Sequence, residues 1–117
     1  MFLLFSFMDK ETIEQIKENI KIILTDSFKN KDKQIVLEYE DRLNFACPYC
    51  GDSIDTRKRR GNIYLSNLSF HCFNCGHHCN YIKFMHDFDM SVGSENLDII
   101  AETIKHGKKK KQKTTTQ

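Results

Sequence analysis

The segment FHCFNCGHHC, residues 70–79, places three cysteines and three histidines in ten positions, and CPYCGDS at 47–53 holds another cysteine pair. Thiolates and imidazoles are ligands for transition metals. The pattern is doubled: Cys47-Pro-Tyr-Cys50-Gly51 and Cys72-Phe-Asn-Cys75-Gly76. Two residues between thiols let both sulfurs of a tight turn face one ion. The glycine after each second cysteine lets the backbone bend until its amides face the sulfurs. Four thiolates in tetrahedral array favour zinc over a hard cation. Cys47, Cys50, Cys72 and Cys75 are therefore the expected ligands of one structural Zn2+. Four protein ligands leave no position for water, so no hydrolytic chemistry follows. Such an ion contributes on the order of 10 kcal/mol to folding, more than the modest core of so short a chain.

Other ligand sets compete. Using Cys79, three residues past Cys75, would break a well-formed pair. His71 precedes Cys72 on an expected strand and should point to the opposite face, and His77 and His78 beyond the glycine would distort the site. Two reduced redox dithiols, an iron–sulfur centre and a rubredoxin-like iron are rival chemistries for the same spacing. Five cysteines, an odd number, argue against a disulfide framework.

Between the pairs runs DSIDTRKRRGNIYL, in which Arg57, Lys58, Arg59 and Arg60 are consecutive bases followed by Gly61 and a strand bearing Tyr64. Four thiolates around a divalent ion leave about two negative charges, which nearby bases offset. Adjacent bases on one turn cannot all reach the ion, so most face solvent. Cations beside exposed aromatic rings hold single-stranded nucleic acid, the cations tracking phosphates and the rings stacking on bases. Asp52 and Asp55, close together in the turn after the first pair, suit local backbone hydrogen bonding better than metal chemistry.

The elements that position these groups follow from periodicity. Ile13, Ile16, Ile20, Ile23 and Leu24 recur at helical spacing over 9–28, with Asp9 as the cap. KNKDK (29–33) is a polar loop, and QIVLEYE (34–40) reads as a strand with Ile35, Leu37 and Tyr39 on one face. GNIYLSNLSFHCF (61–73) reads as a hairpin turning at Ser66-Asn67. Its Leu68, Phe70 and Cys72 share one face, while Ser69, His71 and Phe73 share the other and Tyr64 lies opposite Ile63 and Leu65. That second face is a candidate stacking platform, although Tyr64 and Phe73 would equally suit a core. Asn80 can cap a short helix carrying Tyr81, Ile82, Phe84, Met85 and Phe88. A last helix at 94–106, carrying Leu97, Ile100, Ala101 and Ile104, would stop at Gly107. The expectation is a small α+β chain: an N-terminal helical segment (1–33), a zinc ribbon of antiparallel hairpins (34–90), a C-terminal helix (91–106) and a basic tail (107–117).

Net charge is only +2, but residues 105–117 hold six lysines and no acid. A like-charged run of this kind is a solvated tail that adds non-specific phosphate contacts. The start, MFLLFSFM, is apolar over eight residues, lacks a basic leader and runs into acidic DKE. It is expected neither to direct secretion nor to span a bilayer, so a reducing cytoplasm is the expected compartment.

CPYCGDS, the basic stretch with RG and an aromatic strand, then FHCFNCG and the short helix YIKF resemble the N-terminal zinc-binding domain of DNA primases, most closely those of tailed bacteriophages. The resemblance covers about residues 43–88. It implies a zinc ribbon that contacts single-stranded DNA template and works with a primase catalytic chain, a helicase or a polymerase. Carried over by position, Cys47, Cys50, Cys72 and Cys75 would ligate zinc, and Arg57, Lys58, Arg59, Arg60 and Tyr64 would lie on or near the template side. Primases continue into a catalytic region with metal-binding carboxylates, which this sequence does not supply. The chain is thus expected to be no enzyme on its own: a primase fragment, half of a split primase or a free-standing ribbon. A zinc-ribbon transcription factor docking on a polymerase, and a protein-interaction adaptor, are the alternative readings.

Overall fold

The computed structural model describes residues 10–52, 57–91 and 97–105. Helix α1, Lys10–Ser27, follows the apolar spacing: Ile16, Ile20, Ile23 and Leu24 are buried along one face. Its expected cap, Asp9, lies outside the described residues. A 3-10 turn at Lys31–Gln34 comes next, capped by Asn30, whose side-chain oxygen accepts the Asp32 N–H at 2.8 Å. Five strands follow: β1 (Leu37–Glu38), β2 (Arg42–Phe45), β3 (Gly61–Tyr64), β4 (Ser69–Cys72) and β5 (His78–Asn80). Helix α2, Tyr81–Asp87, continues directly from β5, and residues 97–105 form a further helix, α3. The chain is a small α+β fold whose sheet is an antiparallel meander in the order β1-β2-β3-β4-β5.

Alternation along the strands sorts the two faces. Leu43 and Phe45 on β2, Ile63 on β3 and Phe70 and Cys72 on β4 are fully buried. They join Ile16, Ile20, Ile23 and Leu24 of α1, Tyr81, Phe84 and Met85 of α2, and Ile100 of α3 in one core. Phe70 stacks on Phe84 with ring centroids 4.9 Å apart, and Phe45 lies 6.0 Å from Phe70. Asn19 donates to the Tyr81 hydroxyl at 3.1 Å, fastening α1 to α2. Gly61 sits where strands crowd: a Cβ there would lie 3.0 Å from the Phe45 carbonyl oxygen and 3.2 Å from the Phe70 ring. No side chain larger than hydrogen fits without displacement.

The β3–β4 hairpin turns at Ser66-Asn67 as its sequence indicates, with the Asn67 side chain accepting the Ser69 N–H at 3.1 Å. Asn80 caps α2, accepting the Lys83 N–H at 2.8 Å. The segment 34–40 differs from expectation. Its strand shrinks to Leu37–Glu38, and Ile35 and Tyr39 are exposed. The Asn30 cap winds the preceding residues into the 3-10 turn, where Gln34 donates to the Phe28 carbonyl at 2.8 Å. The Tyr39 N–H then donates to the Arg42 carbonyl, closing a tight turn at once. On α3, Ile100 is buried but Leu97 is 40% exposed, so the inward stripe is narrower than the apolar pattern implied. Gly107 and the lysine tail lie outside the described residues. Among the described residues no helix is long and apolar enough to cross a membrane.

Candidate metal centre and the adjoining sheet face

Two turns of the same construction bring the cysteine pairs together. In the first, the Gly51 N–H donates to the Cys47 carbonyl at 3.0 Å; in the second, the Gly76 N–H donates to the Cys72 carbonyl at 2.9 Å. Both glycines adopt positive φ, 78° and 80°, which a side chain would oppose. The turns aim N–H groups at sulfur. Asp52 donates to Cys50 Sγ at 3.4 Å, and Asn74 and Cys75 donate to Cys72 Sγ at 3.2 and 3.4 Å. The Asn74 side chain reaches across to Cys50 Sγ at 3.3 Å.

The four sulfurs lie within 4.8 Å of one another. Cys47 and Cys75 are 4.0 Å apart, and Cys50 and Cys72 are 3.8 Å apart. A tetrahedral ion with metal–sulfur bonds of about 2.3 Å sets sulfur–sulfur edges of about 3.8 Å. The cluster can therefore hold one metal ion. In each pair the first cysteine is buried and the second exposed. Burial pushes the Cys47 and Cys72 thiols up. Burial also opposes ionisation of Cys50, but the Asn74 and Asp52 hydrogen bonds to its sulfur outweigh it and bring that thiol down to about 7.

Asp52 braces the first turn. It is fully buried with φ of 58°, and its Oδ2 accepts the Arg60 N–H at 2.6 Å and the Cys47 N–H at 3.3 Å. Its Oδ1 accepts from Arg60 Nε at 2.9 Å. The expected local hydrogen-bonding role is what the structure shows; Asp55 lies outside the described residues. Lys33, buried at 5% exposure, donates to the Gly51 carbonyl at 2.9 Å. Sequence reasoning missed Lys33, because nothing local marks a lysine of a polar loop as folding under a turn 18 residues away.

The basic run is thus divided. Arg60 is committed to Asp52, and Arg59 donates to the Asp32 carbonyl at 3.0 Å. Arg57 and Lys58 are exposed. Tyr64 is half-buried on the outer sheet face, directly opposite Arg42 on β2. Register places Asn44, Asn62, His71 and His78 in one row across four strands of that face. Phe73, 65% exposed, meets His71 edge-on at 4.7 Å, and the Arg42 guanidinium lies 4.9 Å from the centre of the Tyr39 ring. His71 does point away from the cysteine cluster, as strand alternation requires. Arg42 was not singled out from the sequence, and Tyr39 and His78 were read there as a strand residue and a rival ligand rather than as part of this face. The alternation in DRLNF, with Leu43 and Phe45 inward, was enough to find Arg42.

No protein-family model matches the chain. Over 59 residues it is 36% identical to the DNA primase of Enterobacteria phage T4, a match covering 48% of this chain. The chain spans only 17% of the length of that relative. What stands, then, is a partial likeness to a phage DNA primase in a chain whose four clustered cysteines can hold one metal ion.

Proposed function

We propose that this chain is a zinc-ribbon module that binds single-stranded DNA template in a phage-type priming apparatus and leaves primer synthesis to a separate catalytic chain, with a helicase or polymerase as further partner. The observation that carries the reading is the convergence of Cys47, Cys50, Cys72 and Cys75 at tetrahedral spacing. Zinc fits this donor set, since four soft thiolates suit it and close its coordination shell. Bound there, the ion supplies a structural cross-link between the two turns. The partial likeness to the phage primase supports the priming role. The neighbouring surface supports the ligand: Arg57 and Lys58 are exposed beside a sheet face bearing Tyr64, Arg42, His71 and Phe73, cations for phosphates and rings for bases.

Binding to single-stranded DNA, followed by fluorescence anisotropy over a salt series, tests the reading. Affinity should fall steeply with salt, and replacing Arg57 and Lys58 with alanine should flatten the slope by about 0.7 per lost phosphate contact. Tyr64→Ala and Phe73→Ala should weaken binding by about 1–3 kcal/mol each with little change in slope if the rings stack on bases. Deleting residues 107–117 should lower affinity for any polyanion alike. Should that deletion abolish binding while the Arg57/Lys58 and Tyr64 variants bind normally, the ribbon is not the template reader.

A further inference from the structure

A second group of metal-ligating side chains stands apart from the four-cysteine cluster. His77, Cys79 and Asp87 offer a ring nitrogen, a thiol and a carboxylate oxygen within 4.8 Å of one another. Their placement follows from the topology. His77 immediately precedes edge strand β5 and Cys79 lies within it, paired with buried Phe70, two residues further on. Asp87 comes to them from the last turn of α2. Tyr49, from between the first two cysteines, closes the group: its ring stacks on His77 at 3.8 Å, and its hydroxyl donates to Asp87 Oδ2 at 2.6 Å and lies 3.6 Å from Cys79 Sγ.

The local hydrogen bonds leave this group incompletely satisfied. His77 Nε2 is buried and has no hydrogen-bond partner among the described residues. A buried imidazole nitrogen without a partner is unusual enough to need a reason, and a role in binding an ion is one. Among the described residues Asp87 Oδ1 is held by Lys83, an i,i+4 partner whose side chain is 62% exposed and can swing into solvent.

We propose that His77, Cys79 and Asp87 form a second, open metal site for a borderline transition cation of the zinc or cobalt class. One imidazole, one thiolate and one carboxylate are the donor types such ions take, and three protein ligands leave the fourth position to water. On binding, the Cys79 thiol gives its proton to solvent, the metal–sulfur bond forms, and Lys83 releases the carboxylate. The ion would tie the edge of the sheet to the end of α2. It differs from the four-cysteine centre in having a coordination position a ligand can enter.

Cobalt spectroscopy on the full chain tests this. Protein carrying one equivalent of zinc is titrated with Co2+, and zinc retention is measured alongside the visible and thiolate-to-cobalt absorption. The expected result is one further equivalent bound, with a single-thiolate charge-transfer band and no zinc lost. Cys79→Ser should remove that band, and Asp87→Asn, a surface change that spares the fold, should weaken the second equivalent at least about tenfold. No second equivalent would overturn the proposal. So would a second equivalent indifferent to both substitutions, as ions on the His71–His78 pair of the outer sheet face would be, or loss of the first ion in Cys79→Ser, which would make Cys79 a ligand of the first centre. If the chain takes no tight zinc at all, the one-thiolate spectrum should still appear, which separates failure of the four-cysteine centre from failure of this one.

Discussion

At the scale of single residues, the link between Asp52 and Arg60 governs the metal turn. A fully buried carboxylate receives two backbone N–H groups and a guanidinium, and removing it leaves those backbone donors unsatisfied. Asp52→Ala should destabilise the metal-loaded protein by about 1–3 kcal/mol for each backbone donor left unsatisfied. Arg60→Ala should cost less, about 1–3 kcal/mol, because the arginine is partly solvated and the backbone donors to Asp52 remain. Denaturant unfolding of both variants checks the ranking; equal, negligible losses would show that the turn holds without them. Lys58, exposed, should show no such loss, which is why it, and not Arg60, reports on DNA. The cysteines were legible in the sequence because their spacing is local and doubled. The division of labour within RKRR was not, because it depends on where Asp52 and Asp32 lie after folding.

Among elements, strands β3 and β4 were legible because turn chemistry and alternation agreed, whereas β2 was not read as a strand. Asn67 and Asn80 mark their positions by side-chain hydrogen bonds that only a short polar residue can make. Asn80→Ala should therefore cost about 1 kcal/mol, seen as a lowered unfolding midpoint. The segment 34–40 misled because β-formers next to a capped polar loop look like one continuous strand; the Asn30 cap claims its first residues and the edge position leaves little to bury. Gly61 belongs at this scale as well, since its hydrogen is what lets β3 pass between Phe45 and Phe70. Gly61→Ala should destabilise by about 1–3 kcal/mol through overpacking, with the strand register intact by NMR. A neutral outcome would mean that the Phe45 backbone and the Phe70 ring both yield freely.

Across the whole molecule, one core unites α1, the sheet, α2 and α3, and the cysteine cluster sits at the ends of β2 and β4, with Cys47 and Cys72 themselves part of that core. If zinc occupies the cluster, a strong chelator should reduce both metal content and stability, the latter by on the order of 10 kcal/mol. Cys50→Ser or Cys75→Ser should do the same, while Cys79→Ser should leave the first equivalent in place, as read by metal analysis and circular dichroism. With template, nucleotides and magnesium or manganese, the isolated chain should make no primers; robust synthesis by homogeneous protein would refute the division of roles proposed above. The meander has one more consequence. Every strand pairs with its neighbour in sequence, so the chain can build its sheet by closing short loops one after another, without waiting for distant segments to meet. Topologies of this kind fold quickly. The slow encounter should be the docking of α1, whose hydrogen bond to Tyr81 spans 62 residues of chain. Substitutions at Ile16 or Ile20 should therefore hasten unfolding far more than they retard folding.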